Sequence, residues 1–97
     1  MPMYVLLSNL TAEGRKSLKK NPQRIDEVNQ ETEAMGVKIK AQYALLGGFD
    51  FITLIEARDN QTMARVVTEL GSRGTLNMTT LPAIEMPKFL HEIGQLK

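Results

Sequence analysis

Asp50 stands in a stretch whose residue types could support chemistry, YALLGGFDFITLIEA, which runs from Tyr43 to Ala57. Its carboxylate comes just after the Gly47-Gly48 pair. One interpretation is that the carboxylate accepts hydrogen bonds from turn amides, as in an Asx-type turn. The other is that Asp50 faces a pocket and acts as a base. Tyr43 is either a packing residue whose hydroxyl reaches an edge or a contact for the same ligand.

Two further residues extend this candidate set. Arg73, in GSRG, is typical of a solvated loop, but its guanidinium could clamp a ligand carboxylate. His91, the single histidine, is typical of a surface residue, with a general-base role as the alternative. The sequence therefore offers Asp50, Tyr43, Arg73 and His91 as candidate ligand-binding residues. It leaves any catalytic residue unknown.

Several classes of function are excluded by what the sequence lacks. It contains no P-loop, no GxGxxG fingerprint and no GxSxG elbow, and we predict no cofactor. With no cysteine and one histidine, we expect no metal site of the conventional zinc type. Twelve basic and eleven acidic residues leave a formal charge of +1, which gives no footprint for nucleic acid.

Length and composition also predict where the protein works. The opening MPMYVLLSNL has no basic segment, so we expect no signal peptide. The apolar stretches are too short to span a bilayer, which predicts no membrane partner. The absence of cysteine fits a reducing compartment, and we predict a cytoplasmic location. A length of 97 residues predicts a single domain over residues 1–97.

The first helical region can be predicted from caps and breakers. Thr11 is the predicted N-cap of a helix that breaks at Asn21-Pro22, because proline lacks the backbone donor that a helix interior needs. We expect Asn21 to cap a second helix whose first residue is Pro22. Gly36 should end that second helix as a C′ glycine.

Alternating and helical patterns predict the remaining elements. Asp59 or Asn60 should cap the helix in DNQTMARVVTELG, and Gly71 should end it. A strand in TLNMTTLPAI should stop at Pro82. The other predicted strands are Met3–Ser8, Val37–Leu46 and Phe49–Ala57, and a short C-terminal helix is predicted in Met86–Lys97.

The order of these elements is β-α-β-β-α-β with a C-terminal helix. A hairpin between two right-handed crossover units is typical of the split βαβ arrangement. The sequence therefore predicts an α+β fold of the ferredoxin-like sandwich type.

The hairpin faces decide which residues meet the helices. A two-residue Gly47-Gly48 loop suits a primed turn, because glycine accepts positive φ, and it pairs Tyr43 with Ile52. The more apolar face should meet the helices, and it holds Val37, Ile39, Ala41, Tyr43, Leu45, Asp50, Ile52 and Leu54. The other face also carries large apolar residues, namely Leu46, Phe49, Phe51 and Ile55. Since a two-layer sandwich leaves one sheet face uncovered, we predict that a second copy covers it in a homodimer or higher homo-oligomer.

Two stretches of the sequence carry the most specific resemblance to a known family. They are the turn Gly47-Gly48-Phe49-Asp50 and the segment GSRGTLNMTTLPA. With the segment from Tyr4 to Ala57, they resemble the GYD domain family, small prokaryotic proteins of uncertain function. Family members usually carry tyrosine where this chain has Phe49, so no hydroxyl can act as donor or acid there. The resemblance implies the dimeric α+β barrel architecture. A similar turn lies near a ligand site at subunit contacts in effector domains of leucine/asparagine-responsive regulators.

Three hypotheses of function follow. The first is a homo-oligomer that binds a small molecule without catalysing a reaction, which the lack of a paired acid and base favours. The second is a cofactor-independent enzyme of the dimeric α+β barrel type, with Asp50 or His91 as acid or base on a small polar organic substrate. The third is a structural partner of another protein.

Overall fold

The computed structural model describes residues 1–95, which form one four-stranded antiparallel sheet and four helices. The strand order is β2-β3-β1-β4, so β1 lies inside the sheet, between β3 and β4. This is the predicted β-α-β-β-α-β ferredoxin-like order. The elements are β1 (Met3–Leu10), α1 (Ala12–Lys20), α2 (Arg24–Ala34), β2 (Lys38–Ala44), β3 (Phe51–Glu56), α3 (Asn60–Gly71), β4 (Leu76–Ala83) and α4 (Met86–Gln95).

The predicted break between α1 and α2 is confirmed, but its caps differ from the prediction. α1 ends at Lys20, and Asn21 is its C-cap, with its backbone N–H bonded to the Ser17 carbonyl at 2.9 Å. The N-cap of α2 is Gln23, so predicting Asn21 as N-cap and Pro22 as first helical residue was wrong. Asn21 therefore closes the helix before the proline, and α2 restarts after a turn.

Three of the predicted helix ends are confirmed, those at Thr11, Gly36 and Asp59. The Thr11 side chain accepts the Gly14 N–H at 3.1 Å, and the Asp59 side chain accepts the Thr62 N–H at 2.8 Å. Gly36 follows α2 with a φ of +96°, a conformation that glycine adopts without steric cost. Gly71, predicted to lie beyond α3, is instead its last residue, with Ser72 as the C-cap.

Pro82 does not stop β4, contrary to the prediction. It lies inside the strand and pairs with Tyr4 of β1. β4 is an edge strand, where a residue without an N–H is tolerated if its nitrogen faces away from the neighbouring strand.

The hairpin register is confirmed, but the prediction of its faces was wrong. Tyr43 pairs with Ile52 as expected, yet Thr53 and Ile55 are the buried residues of β3 and meet the helices. Ile52 and Leu54 therefore point to the opposite face. The register shifts between Ile39 and Ala41, because Lys40 forms a bulge. The bulge therefore divides the β2 residues that were predicted to share one face. Ile39 lies on the helix side with Ile55, whereas Tyr43 lies on the opposite face.

The core lies between the sheet and the helices. It is built from Tyr4 and Leu6 of β1, Ile55 of β3, and the α3 residues Met63 and Val66, each at most 4% exposed. The Tyr4 hydroxyl donates a hydrogen bond to the Asn60 side chain, so its polar end is satisfied at the edge of the core.

The start of α1 is held closely against the chain that leads into β4. The Thr11 N–H donates to the Thr75 carbonyl at 3.0 Å, and the Thr11 hydroxyl donates to the Gly74 carbonyl at 2.8 Å. At Gly14 a Cβ atom would lie 2.2 Å from the Thr75 carbonyl oxygen, so this approach requires glycine. The contact fixes α1 over one end of the sheet.

The predicted C-terminal helix is confirmed over Met86–Gln95, whereas residues 96–97 of that prediction lie outside the described residues. α4 contains no buried residue, and its apolar side chains are 43% to 61% exposed. These apolar residues are Met86, Phe89, Leu90 and Ile93, which follow the spacing of one helical face. The helix therefore offers an uncovered apolar stripe.

Candidate functional site

A cavity of about 310 Å³ lies between the sheet and the first two helices. Ser8 of β1 and Thr53 of β3 supply polar groups on its sheet side. Most of the lining is apolar and comes from Leu6, Leu10, Leu18, Ile25, Val28, Ile39, Phe51, Ile55, Leu70 and Leu76. An apolar pocket with a small number of placed polar groups is typical of small-molecule sites.

A chain of uncharged hydrogen bonds joins the sheet to α2 beside this cavity. The Gln42 amide nitrogen donates to the Thr53 hydroxyl at 3.1 Å, and the Asn29 amide nitrogen donates to the Gln42 oxygen at 2.8 Å. Because Gln42 is on the edge strand β2, this amide pair closes the side of the cavity between α2 and the sheet. It is also an arrangement that local sequence patterns do not encode.

The charged side chains at the cavity are already paired. Arg24 contacts Glu27 and Glu31, each at 3.1 Å, while Arg73 contacts Glu31 and Glu69. Hydrogen bonds from Arg73 and Arg24 hold the pKa of Glu31 below its ordinary value, and Glu27 and Glu31 raise the pKa of Arg24. Glu31 thus stays ionised and bridges the two arginines.

Asp50 binds backbone at the end of the neighbouring strand. Its carboxylate accepts the Leu10 N–H at 2.8 Å, and its own N–H donates to the Ser8 carbonyl at 2.9 Å and to the Asn9 side chain at 3.2 Å. The Asp50 carbonyl accepts the Leu45 N–H at 2.7 Å, as expected for the predicted hairpin register. The carboxylate is therefore a backbone cap, although its partner belongs to β1 and not to the turn.

The structure separates the four candidate residues predicted from sequence. Of these four residues, Arg73 lines the cavity. Tyr43 is 62% exposed on the sheet face away from the helices, and His91 is exposed on α4. Asp50 lies at the hairpin end of the sheet and is absent from the cavity lining. Within residues 1–95, no shared site links these four side chains.

Sequence reasoning missed the two buried hydroxyl residues on the sheet side of the cavity. Ser8 and Thr53 are only 4% and 3% exposed, although both occur in otherwise apolar strands. A small hydroxyl residue at a helix-facing strand position is the signal that could have identified them, once the faces were assigned correctly.

Residues 1–95 contain no group of three or more His, Cys, Asp or Glu side chains arranged to hold a metal ion. None of the helices within this range is long and apolar enough to cross a membrane.

Comparison with known proteins decides the family. The GYD domain pattern matches residues 4–92, which is nearly the whole chain. The chain belongs to the GYD domain family. The glycine turn at Gly47 and the aspartate at position 50 lie within the matched range, and Gly47 has a φ of +135°.

A curated relative from Thermus thermophilus is 51% identical over 85 residues, covering 87% of this chain and 90% of that protein. It is named glutamine synthetase and cystathionine beta-lyase binding protein. The crystal structure of MtbAldR matches with a TM-score of 0.66 at 22% identity, and 87% of this chain covers 52% of that one, about half its length. FFRP-DM1 matches with a TM-score of 0.61 at 20% identity, over 87% of this chain and 100% of that one. These structures identify the fold as the ferredoxin-like, dimeric α+β barrel type.

The Asp50 cap generates a direct test. We expect Asp50→Ala to lower the free energy of unfolding by about 1–2 kcal/mol, because the Leu10 N–H loses its acceptor. Asp50→Asn should lose less, since its amide oxygen can accept the same N–H. Urea denaturation of the three proteins measures the difference. An Asp50→Ala variant as stable as the unsubstituted protein would show that the carboxylate is not a structural cap.

Proposed function

We propose that this GYD domain protein is a homo-oligomer that binds a small molecule in the cavity between the sheet and α1–α2, without catalysing a reaction. The cavity is the observation that carries the proposal, since its volume of about 310 Å³ lies at the lower end of the range for ligand pockets. Its charged lining residues within the described range, Arg24 and Arg73, are both held by glutamates.

The enzyme alternative has weaker support from the same geometry. Asp50 is engaged with backbone outside the cavity, and His91 lies on α4. Among the described residues, neither of the two is placed beside a second titratable group of the cavity lining. General acid–base chemistry needs such a group within hydrogen-bond reach of a bound substrate. A binding role therefore accounts for the arrangement with fewer assumptions.

A metabolite-library thermal-shift screen tests small-molecule binding. A compound present at 100 times its Kd should stabilise the protein by about 2.7 kcal/mol. We expect Ser8→Leu to abolish the shift, because the larger side chain enters the cavity. Thr68→Leu, on the exposed surface of α3, is the matched control and should keep it. A screen without any stabilising compound would contradict this part of the proposal.

The homo-oligomer part rests on the sheet face that the helices leave open. Val5 of β1 pairs with Leu54 of β3 on one side and with Leu81 of β4 on the other. In the next row Leu7 pairs with Ile52. These aliphatic side chains are only half-buried or exposed, with Leu81 at 46%. A contiguous apolar face of this kind is suited to burial against a second copy of the same chain.

Leu54→Lys tests this face. The charge should prevent association at micromolar protein concentration, because lysine would be buried without a partner in the interface. Thr68→Lys, on exposed α3, should leave association unchanged. Sedimentation velocity measures both variants. An unsubstituted protein that sediments as a monomer at micromolar concentration would contradict the homo-oligomer.

Binding to metabolic enzymes is the second candidate function. It is favoured by the relative that is 51% identical over 85 residues and is named as a binding protein for glutamine synthetase and cystathionine beta-lyase. The apolar stripe of α4, with Leu90 at 58% exposure, offers a surface for such a partner. We place this activity in the cytoplasm, with which the cysteine-free composition is compatible.

Biolayer interferometry with the purified glutamine synthetase and cystathionine beta-lyase of the source organism tests this candidate. We expect micromolar or tighter binding to at least one enzyme. Leu90→Glu should weaken it about tenfold or more, because a carboxylate would replace an apolar contact. Glu92→Gln, on the same helix, is the matched control. Absence of binding to both enzymes would reject this function.

A further inference from the structure

The buried polar groups of the cavity are uncharged hydroxyls. Ser8 and Thr53 are each at most 4% exposed, and both line the cavity from the sheet. The Thr53 oxygen accepts a hydrogen bond from Gln42, which uses one of its two acceptor positions. A hydroxyl group also carries one donor, so these residues can both donate to and accept from a ligand group.

The charges at the cavity disfavour an anionic ligand. Two arginines, Arg24 and Arg73, face three carboxylates in their ion pairs, those of Glu27, Glu31 and Glu69. Glu31 contacts Nη1 of both guanidinium groups, so each arginine already has a carboxylate partner. The Glu31 carboxylate is ionised at neutral pH, where it competes with an incoming anion, and hydrogen bonds from Arg73 and Arg24 lower its pKa further.

We propose that the cavity binds an uncharged, mostly apolar molecule with a hydrogen-bonding head, such as a primary amide or an alcohol. The head would contact Ser8 and Thr53, and the hydrocarbon body would lie against the leucine, isoleucine and phenylalanine lining. A charged group in the same place would lose its hydration without gaining a free cation. This inference rests on the proposed function, because it assigns a ligand class to that binding site.

Three probes of equal chain length test the class. Octanamide, octanol and octanoate are titrated into the unsubstituted protein by isothermal titration calorimetry at pH 7, where octanoate is ionised. We expect at least one of the neutral probes to bind with a Kd about tenfold or more below that of octanoate. Equal or tighter binding of octanoate overturns the inference while leaving small-molecule binding intact. If no probe binds, the ligand class is rejected, and the metabolite screen decides the proposed function separately.

Two variants test the residues on which the proposed ligand class depends. Thr53→Val should weaken octanamide binding about three- to tenfold, the effect of one neutral hydrogen bond, while exposed Thr68→Val should not. Glu31→Gln should tighten octanoate binding, because it removes the competing carboxylate, and should leave octanamide unchanged. Circular dichroism and thermal unfolding confirm that each variant is folded. A Thr53→Val variant that is folded and keeps full octanamide affinity would overturn the placement of the head.

Discussion

β1 is apolar on both of its faces, and it lies between two other strands at the centre of the sheet. Tyr4 and Leu6 point towards the helices and form part of the core, whereas Val5 and Leu7 point the other way. α2 and α3 pack against the face that carries Tyr4 and Leu6. The helices therefore leave the row of Val5 and Leu7 uncovered. The cavity and the proposed self-association face are consequences of this asymmetry.

Local chemistry made the helix boundaries the most predictable part of the fold. Thr11, Asp59 and Gly36 act on backbone groups within a few residues, and each behaves as predicted. Gly71 and Pro82 were predicted wrongly because their local preferences do not decide the structure. Gly71 is the last residue of α3 and does not lie beyond it. Pro82 lies inside β4, since an edge strand tolerates a residue without an N–H. The Asn21-Pro22 pair located the break between α1 and α2, but its residues do not cap α2, so a local signal placed this boundary without identifying its cap.

The cavity could not be predicted because its residues meet across long sequence separations. Ser8, Gln42 and Thr53 belong to three strands, and Asn29 reaches Gln42 from a helix. The bulge at Lys40 then changes the side to which Ile39 points, so an alternating pattern read straight through β2 gives the wrong partition. Both hairpin faces are apolar, and composition alone could not correct the error.

The edges of the sheet determine how copies of this chain can meet. At the β4 edge, Pro82 has no N–H to offer to an added strand. At the β2 edge, Lys38 and Lys40 carry positive charges, and the bulge at Lys40 makes the backbone irregular. Both features oppose the endless strand-to-strand growth that leads to fibrils. The proposed self-association would therefore use the open sheet face and not the strand edges.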